Sequence, residues 1–285
     1  MSIDLRNHLE RALGSAVRSL DPVAGGDVAE AFRATLADGR TLFAKTRANA
    51  AADFFETEAA SLAWLREASA ARIPRVLDVS REPPALLLEW IEVGRSVADT
   101  EEKLGRALAA LHATGAPCFG REDRRTTGSR GLPNDPCDRW SEFYATRRLL
   151  PLARLASEQD ALPLRAIRDL ERVSARLESL GGPEEPPARL HGDLWAGNRL
   201  VDASGESWLI DPAAHGGHRE FDLAMMRLFG GFGDACFAAY DEVFPLAPGW
   251  EERVALHQLA PLAVHAIKFG GSYRDATQRA LDALR

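Results

Sequence analysis

Two short apolar runs, Arg199-Leu200-Val201 and Ser207-Trp208-Leu209-Ile210, flank the turn-rich cluster Asp202-Ala203-Ser204-Gly205-Glu206. That pattern spells a β-hairpin, with Asn198 just before its first strand and Asp211 just after its second. Antiparallel pairing sets the outer ends of two such strands side by side. The hairpin therefore directs Asn198, Asp211 and the nearby Asp193 toward one spot. Two carboxylates and an amide oxygen are hard ligands, suited to Mg²⁺ held jointly with phosphate. One carboxylate can stay off the metal and accept the proton of an attacking hydroxyl. His191-Gly192-Asp193 alone would be a weak signal, because an aspartate capping a turn looks the same. The spacing of all three oxygen-bearing residues is more restrictive, although a purely structural polar cluster is its competing reading.

The 285 residues are enough for two lobes or one large domain. A hydrophobic share of 46 % and a charged share of 27 % are those of an ordinary globular protein. The formal net charge of −7 argues against nucleic acid as a primary partner. No apolar run approaches the roughly 20 residues needed to span a bilayer, so no membrane partner is expected. The start Met1-Ser2-Ile3-Asp4-Leu5-Arg6 lacks the basic and apolar regions of a secretory leader, so a cytoplasmic location is expected. Cys118, Cys137 and Cys236 form no CxxC pair and read as packed thiols.

Along the chain, Ile3, Leu5, Leu9, Leu13 and Val17 recur at helical spacing and predict a helix within residues 1–20. Alternation over Phe32–Leu36, a turn at Asp38-Gly39 and a return over Thr41–Lys45 predict a second hairpin. A helix over about 51–68 and strands over Val76–Val79 and Leu86–Ile91 complete a small antiparallel sheet with one inserted helix. Composition changes after Val93-Gly94, and helical stripes then dominate, around Leu104–Leu111, Trp140–Leu150, Ile167–Leu180 and most of 221–285. The expected architecture is α+β and bilobal, with a nucleotide-binding lobe over 1–93 and a catalytic, substrate-binding lobe over 94–285.

A nucleotide needs backbone donors and a cation. Gly25-Gly26 lies in a turn that could cover phosphates; glycine pairs are common in turns, and its interest comes from Lys45 at the end of the following hairpin. A lysine there would meet the phosphates as a point charge, and Glu58 on the next helix could pair with it. Taken singly, Lys45 reads equally as a strand-end surface lysine and Glu58 as part of a solvated helix face. The Glu89 carbonyl and Ile91 amide fit a hinge against an adenine edge, or an ordinary linker. Asp222 could cap the helix it begins or accept backbone amides of the loop carrying Asp193. His215 and His218 lack a third soft ligand for metal, and His112 and His257 read as core residues.

HGDLWAGN at 191–198, IDPAAHGGHREFDLAM at 210–225, LFGGF at 228–232 and LLLEWIE at 86–92 together resemble the fructosamine kinase (ketosamine-3-kinase) family, within the aminoglycoside phosphotransferase and choline kinase-like group. The resemblance implies a protein-kinase-like fold and ATP-dependent, Mg²⁺-assisted phosphorylation of a sugar hydroxyl on a ketoamine. Such an adduct forms when a sugar glycates a small or protein-bound amine, and destabilising it leads to deglycation. Carried onto this chain, the family pattern makes Asp193 the base, Asn198 and Asp211 the metal ligands, and Lys45 with Glu58 the phosphate-positioning pair. It sets Trp195 as a platform for the sugar, with His218 and His265 also on the substrate side.

The chain departs from the family pattern at Asp27 and Ala29 in the glycine loop and at Arg130-Gly131-Leu132. It departs again at Val264–Gly270, where His265 and Phe269-Gly270 remain of the expected Asn-His-x-x-His-Phe-Gly. These changes spare the transfer residues and bear on substrate identity. Two alternatives follow: a phosphotransferase for another hydroxylated amine, aminoglycoside- or choline-like, and a nucleotide-binding pseudokinase without transfer activity. Monomer and dimer are both left open.

Overall fold

A computed structural model describes residues 2–24, 29–51, 53–124, 126–127 and 131–285. The expected glycine-loop residues Gly25 and Gly26, with Asp27, lie outside the described residues. Helix α1 (Ser2–Leu13) is followed by strands β1 (Val17–Pro22), β2 (Glu30–Leu36) and β3 (Thr41–Thr46), helix α2 (Phe54–Glu67), and strands β4 (Val76–Arg81) and β5 (Pro84–Glu89). The five strands form one antiparallel sheet in the order β1-β2-β3-β5-β4. Alternation along β5 serves two layers: Ala85 and Leu87 pack with Leu5 and Leu9 of α1, while Leu86 and Leu88 pack with Leu62 and Leu65 of α2.

The opening helix is shorter than its spacing suggests. Gly14 has a φ of 66°, a left-handed turn that ends α1. Val17 is therefore a buried residue of β1, and its helical spacing from Leu13 is a coincidence of period.

Beyond β5 come α3 (Thr100–Ala113), the two-residue strands β6 (Thr126–Thr127) and β7 (Leu132–Pro133), α4 (Trp140–Tyr144), a π-helical turn (Ala145–Leu149), α5 (Leu150–Glu158), α6 (Leu164–Ser174) and α7 (Leu177–Leu180). Strands β8 (Ala188–Leu190), β9 (Arg199–Val201), β10 (Ser207–Leu209) and β11 (His215–Gly217) surround the residues of interest. Helices α8 (Glu220–Phe229), α9 (Asp234–Val243), α10 (Trp250–Phe269) and α11 (Ser272–Asp282) complete the chain. The helical half has its own core, built around Tyr144, Leu152, Leu170, Leu256 and Leu259.

Pro261 lies inside α10 and cannot donate to the carbonyl of His257, four residues earlier. The buried Tyr144 hydroxyl fills that gap, lying 3.2 Å from the His257 carbonyl and 2.9 Å from that of Leu256. Helix α10 thus continues past the proline, and its last turn brings His265 against Phe229, which in turn meets Trp195.

The connector after β5 passes close to the β9–β10 hairpin. Gly94 donates its N–H to the Val201 carbonyl at 2.8 Å. A Cβ at Gly94 would stand 2.5 Å from the Asp202 carbonyl oxygen, so the crossing requires glycine.

Candidate active site

The hairpin forms as its sequence requires, with Trp208 opposite Leu200 and Leu209 opposite Arg199. A 3₁₀ turn, Ala196–Asn198, leads into it. The Asn198 amide nitrogen donates to the Asp193 backbone carbonyl at 2.8 Å and to Asp193 Oδ2 at 3.0 Å. The same nitrogen lies 3.5 Å from the backbone carbonyl of Asp211. Asp193, Asn198 and Asp211 therefore meet, with the Asn198 nitrogen committed to Asp193. Asp211 adopts a φ of 55°, an unusual value for a non-glycine residue and one that clusters at functional sites.

Across from this group, β3 presents Lys45, whose place is fixed by pairing with Ala31 of β2 and Leu86 of β5. Its ammonium lies 2.7 Å from Glu58 Oε1 and also contacts Asp211 Oδ1. Burial works against the charged amine, but the fields of Glu58 and Asp211 outweigh it and hold Lys45 above its usual value. Lys45 is thus a cation strung between α2 and the far end of the hairpin.

The loop carrying Asp193 is held from behind. Asp222 accepts the N–H of His191 at 2.7 Å and of Gly192 at 2.9 Å. It also lies 3.2 Å from His112 Nε2, and His112 Nδ1 lies 2.8 Å from the Tyr240 hydroxyl. Burial opposes the Asp222 charge, yet the His112 hydrogen bond and field and the loop amides keep its carboxyl below the usual range. Burial also pushes the His191 imidazole below its usual value. Its Nε2 donates to the Ile210 carbonyl at 2.9 Å and its Nδ1 accepts the Asp193 N–H at 3.3 Å. Gly192 has a φ of 79°, and a Cβ there would stand 2.2 Å from the Ala213 carbonyl oxygen.

Asp193 itself is pushed up to about 7, chiefly by burial and further by Asp211 and Asp222. The Asn198 hydrogen bond and the charge of Lys268 act the other way. A carboxylate so poised can take a proton from an attacking hydroxyl, the task of a general base.

Trp195 is 41 % exposed and meets Phe229 edge-on, with ring centroids 6.0 Å apart. Its ring packs over Gly197, where a Cβ would stand 2.2 Å from the indole. Phe229 meets His265 at 4.9 Å, so His265 joins Trp195 through one intervening ring. Glu89 closes β5, its side chain accepting the Arg75 N–H at 2.6 Å, and Ile91 is buried in the connector.

His218 is not with this group, which corrects its expected place on the substrate side. Strand β11 runs antiparallel to β8, with His215 opposite Leu190 and Gly217 opposite Ala188, and so carries the chain away from the loop that holds Asp193. His218 packs against Trp140 and His257 and lines a separate pocket with Gly181 and Gly182. Ligand atoms of His218, Glu220 and His257 lie within 4.8 Å of one another. Arg253, however, holds both Glu220 oxygens, at 2.5 and 2.9 Å, and already supplies the balancing charge. Two further features carry no local sequence signature of their role: the Asp222–His112–Tyr240 chain and the charge of Lys268 acting on Asp193. A histidine on an apolar helix face, such as His112, signals only that a buried polar group demands a partner.

The fructosamine kinase family model matches residues 1–285. A candidate ketoamine kinase of Enterococcus faecium is 36 % identical over 92 % of this chain and 93 % of its own length. Ketosamine-3-kinase of Mus musculus is 31 % identical over 94 % and 96 %. A solved Thermobifida fusca structure, described as a candidate fructosamine-3-kinase, has a TM-score of 0.90 at 38 % identity over 98 % of both chains. Choline kinase LicA from Streptococcus pneumoniae, at 14 % identity, has a TM-score of 0.65 over 100 % of this chain and 98 % of its own, a likeness of the protein-kinase-like fold alone. No helix among the described residues is long and apolar enough to cross a membrane. With the family model matching it from end to end, the chain belongs to the fructosamine kinase family.

Proposed function

We propose that this protein transfers the γ-phosphoryl group of ATP to a sugar hydroxyl of a ketoamine, the adduct of a sugar with a small or protein-bound amine. Family membership over the whole chain supports the reaction class. The observation that carries the reading is the meeting of Asp193, Asn198 and Asp211 opposite Lys45. In this reading residues 1–93 bind the nucleotide, with Lys45 on its phosphates, Glu58 positioning Lys45, and the Glu89–Ile91 connector beside the adenine. Residues 94–285 carry the catalytic loop and the acceptor.

Asp211 offers a carboxylate 37 % exposed, and Asn198 keeps an amide oxygen once its nitrogen is committed to Asp193. That all-oxygen pair suits Mg²⁺. When bound, the ion neutralises charge on the transferring phosphoryl group. Asp193 accepts the proton of the attacking hydroxyl. Asp222 and His191 fix the loop so that the carboxylate needs no reorganisation. Trp195 presents its flat face to the C–H groups of the sugar.

Incubation with ATP, Mg²⁺ and fructosamine or ribulosamine model compounds, beside an aminoglycoside and choline panel, tests this. Phosphorylated ketoamine detected by ³¹P NMR is the expected result. Turnover confined to an aminoglycoside or choline would move the substrate assignment, and nucleotide binding without transfer to any acceptor would identify a pseudokinase.

A further inference from the structure

The last turn of α10 brings a cation to the acceptor side of the site. His265 and Lys268 are three residues apart on α10 and so lie on one face of the helix. That face adjoins a ledge of rings: Trp195 meets Phe229, Phe229 meets His265, and His265 meets Phe269 at 5.6 Å and Tyr273 at 5.0 Å. The ledge is open to solvent, with Trp195 41 % and Phe269 50 % exposed. Lys268 is exposed beside it, its ammonium 4.6 Å from the centre of the Phe269 ring. The ledge begins two residues from Asp193, and the charge of Lys268 is felt at that carboxylate. Gly231, in the loop after α8, closes the same wall, since a Cβ there would stand 2.4 Å from the Ala196 side chain.

The charges around this ledge decide what it favours. Asp193, Asp211 and Asp222 cluster at the catalytic loop, and the phosphates of a nucleotide would add to them. Such a field favours the cationic amine of a ketoamine and repels any anion attached to it, unless a cation meets that anion. Lys268 supplies one where the ring ledge would support the rest of the acceptor. A carboxylate one carbon from the amine nitrogen, as in an amino acid glycated on its α-amino group, is such an anion. Lys45 is already engaged by Glu58 and Asp211.

We propose that Lys268 is a specificity-determining residue that meets a carboxylate on the amine portion of the acceptor, so that adducts of α-amino acids are preferred over adducts of amines that carry no carboxylate. This rests on the ketoamine kinase reading and names the substrate class within it.

The test compares two ketoamines built from one sugar, one on glycine and one on methylamine, with wild type, Lys268→Met and Lys268→Arg. Wild type favours the glycine adduct in kcat/KM by about five- to tenfold, the worth of one partly exposed charge-assisted contact. Lys268→Met brings that ratio to about one by raising KM for the glycine adduct, and Lys268→Arg retains the preference. A wild type that uses both adducts equally overturns the proposal alone. So does a Lys268→Met enzyme that loses the same fraction on both, which would place Lys268 on the phosphoryl group or in the fold. A wild type that phosphorylates neither adduct overturns the ketoamine reading and this proposal with it.

Discussion

Asp222 Oδ2 lies 2.7 Å from the backbone nitrogen of His191, so helix α8 grips the loop that carries Asp193. The carboxylate reaches the Gly192 N–H through its other oxygen and is fully buried. A buried acceptor with several donors aimed at it cannot be exchanged for a group that also donates without leaving one N–H facing another.

Asp222→Asn therefore lowers the free energy of unfolding by about 2–4 kcal/mol. It also reduces kcat by more than about tenfold, because the loop amides lose their anchor. Urea denaturation followed by steady-state kinetics measures both, and a variant of wild-type stability would remove Asp222 from this role.

Gly197→Ala tests the seat of Trp195. The added methyl meets the indole at 2.2 Å, so the ring must leave its position. The expected outcome is a KM for the acceptor raised several-fold, a changed tryptophan emission spectrum and little change in ATP affinity. An acceptor KM equal to that of wild type would deny Trp195 its contact with the sugar.

How much of this was legible in sequence depends on the range of the interaction. The β9–β10 hairpin carries its own turn and alternation, so the meeting of Asn198 and Asp211 could be read locally. Lys45 was similarly legible, because the Asp38-Gly39 turn sets the register of β2 and β3. His218 was misplaced because the pairing of Gly217 with Ala188 joins segments far apart in the chain, and it is that pairing which turns His218 away from the loop. Val17 was misread because one apolar residue fits a helix and a strand equally until Gly14 breaks the helix. The bridging of the break at Pro261 by the Tyr144 hydroxyl is a long-range contact that no local pattern announces.

Acid stability follows from two buried histidines. His215 is lowered from 6.5 to about 3, first by burial and then by the charge of Arg148. His218 is lowered to about 3 by burial and by the neighbouring His257. Because both fold in the neutral form, the unfolded chain takes up their protons first as pH falls. Their stabilising contribution is complete above pH 6.5 and is lost progressively down toward about 3. Each histidine adds a slope of about 1.4 kcal/mol per pH unit within that window. Unfolding free energies measured between pH 7 and pH 4 should show this fall, and His218→Gln should flatten it. An equal slope in the variant would mean that His218 titrates alike in both states.

In the proposed reaction Asp193 takes the proton from the acceptor hydroxyl while the nucleotide is held elsewhere. The most direct measurement pairs transfer of labelled phosphate from ATP to a ketoamine with calorimetric binding of MgATP, for wild type and Asp193→Ala. Turnover should fall by at least about a hundredfold in the variant while MgATP affinity stays within a few-fold of wild type. Equal turnover in the two proteins would contradict the assignment.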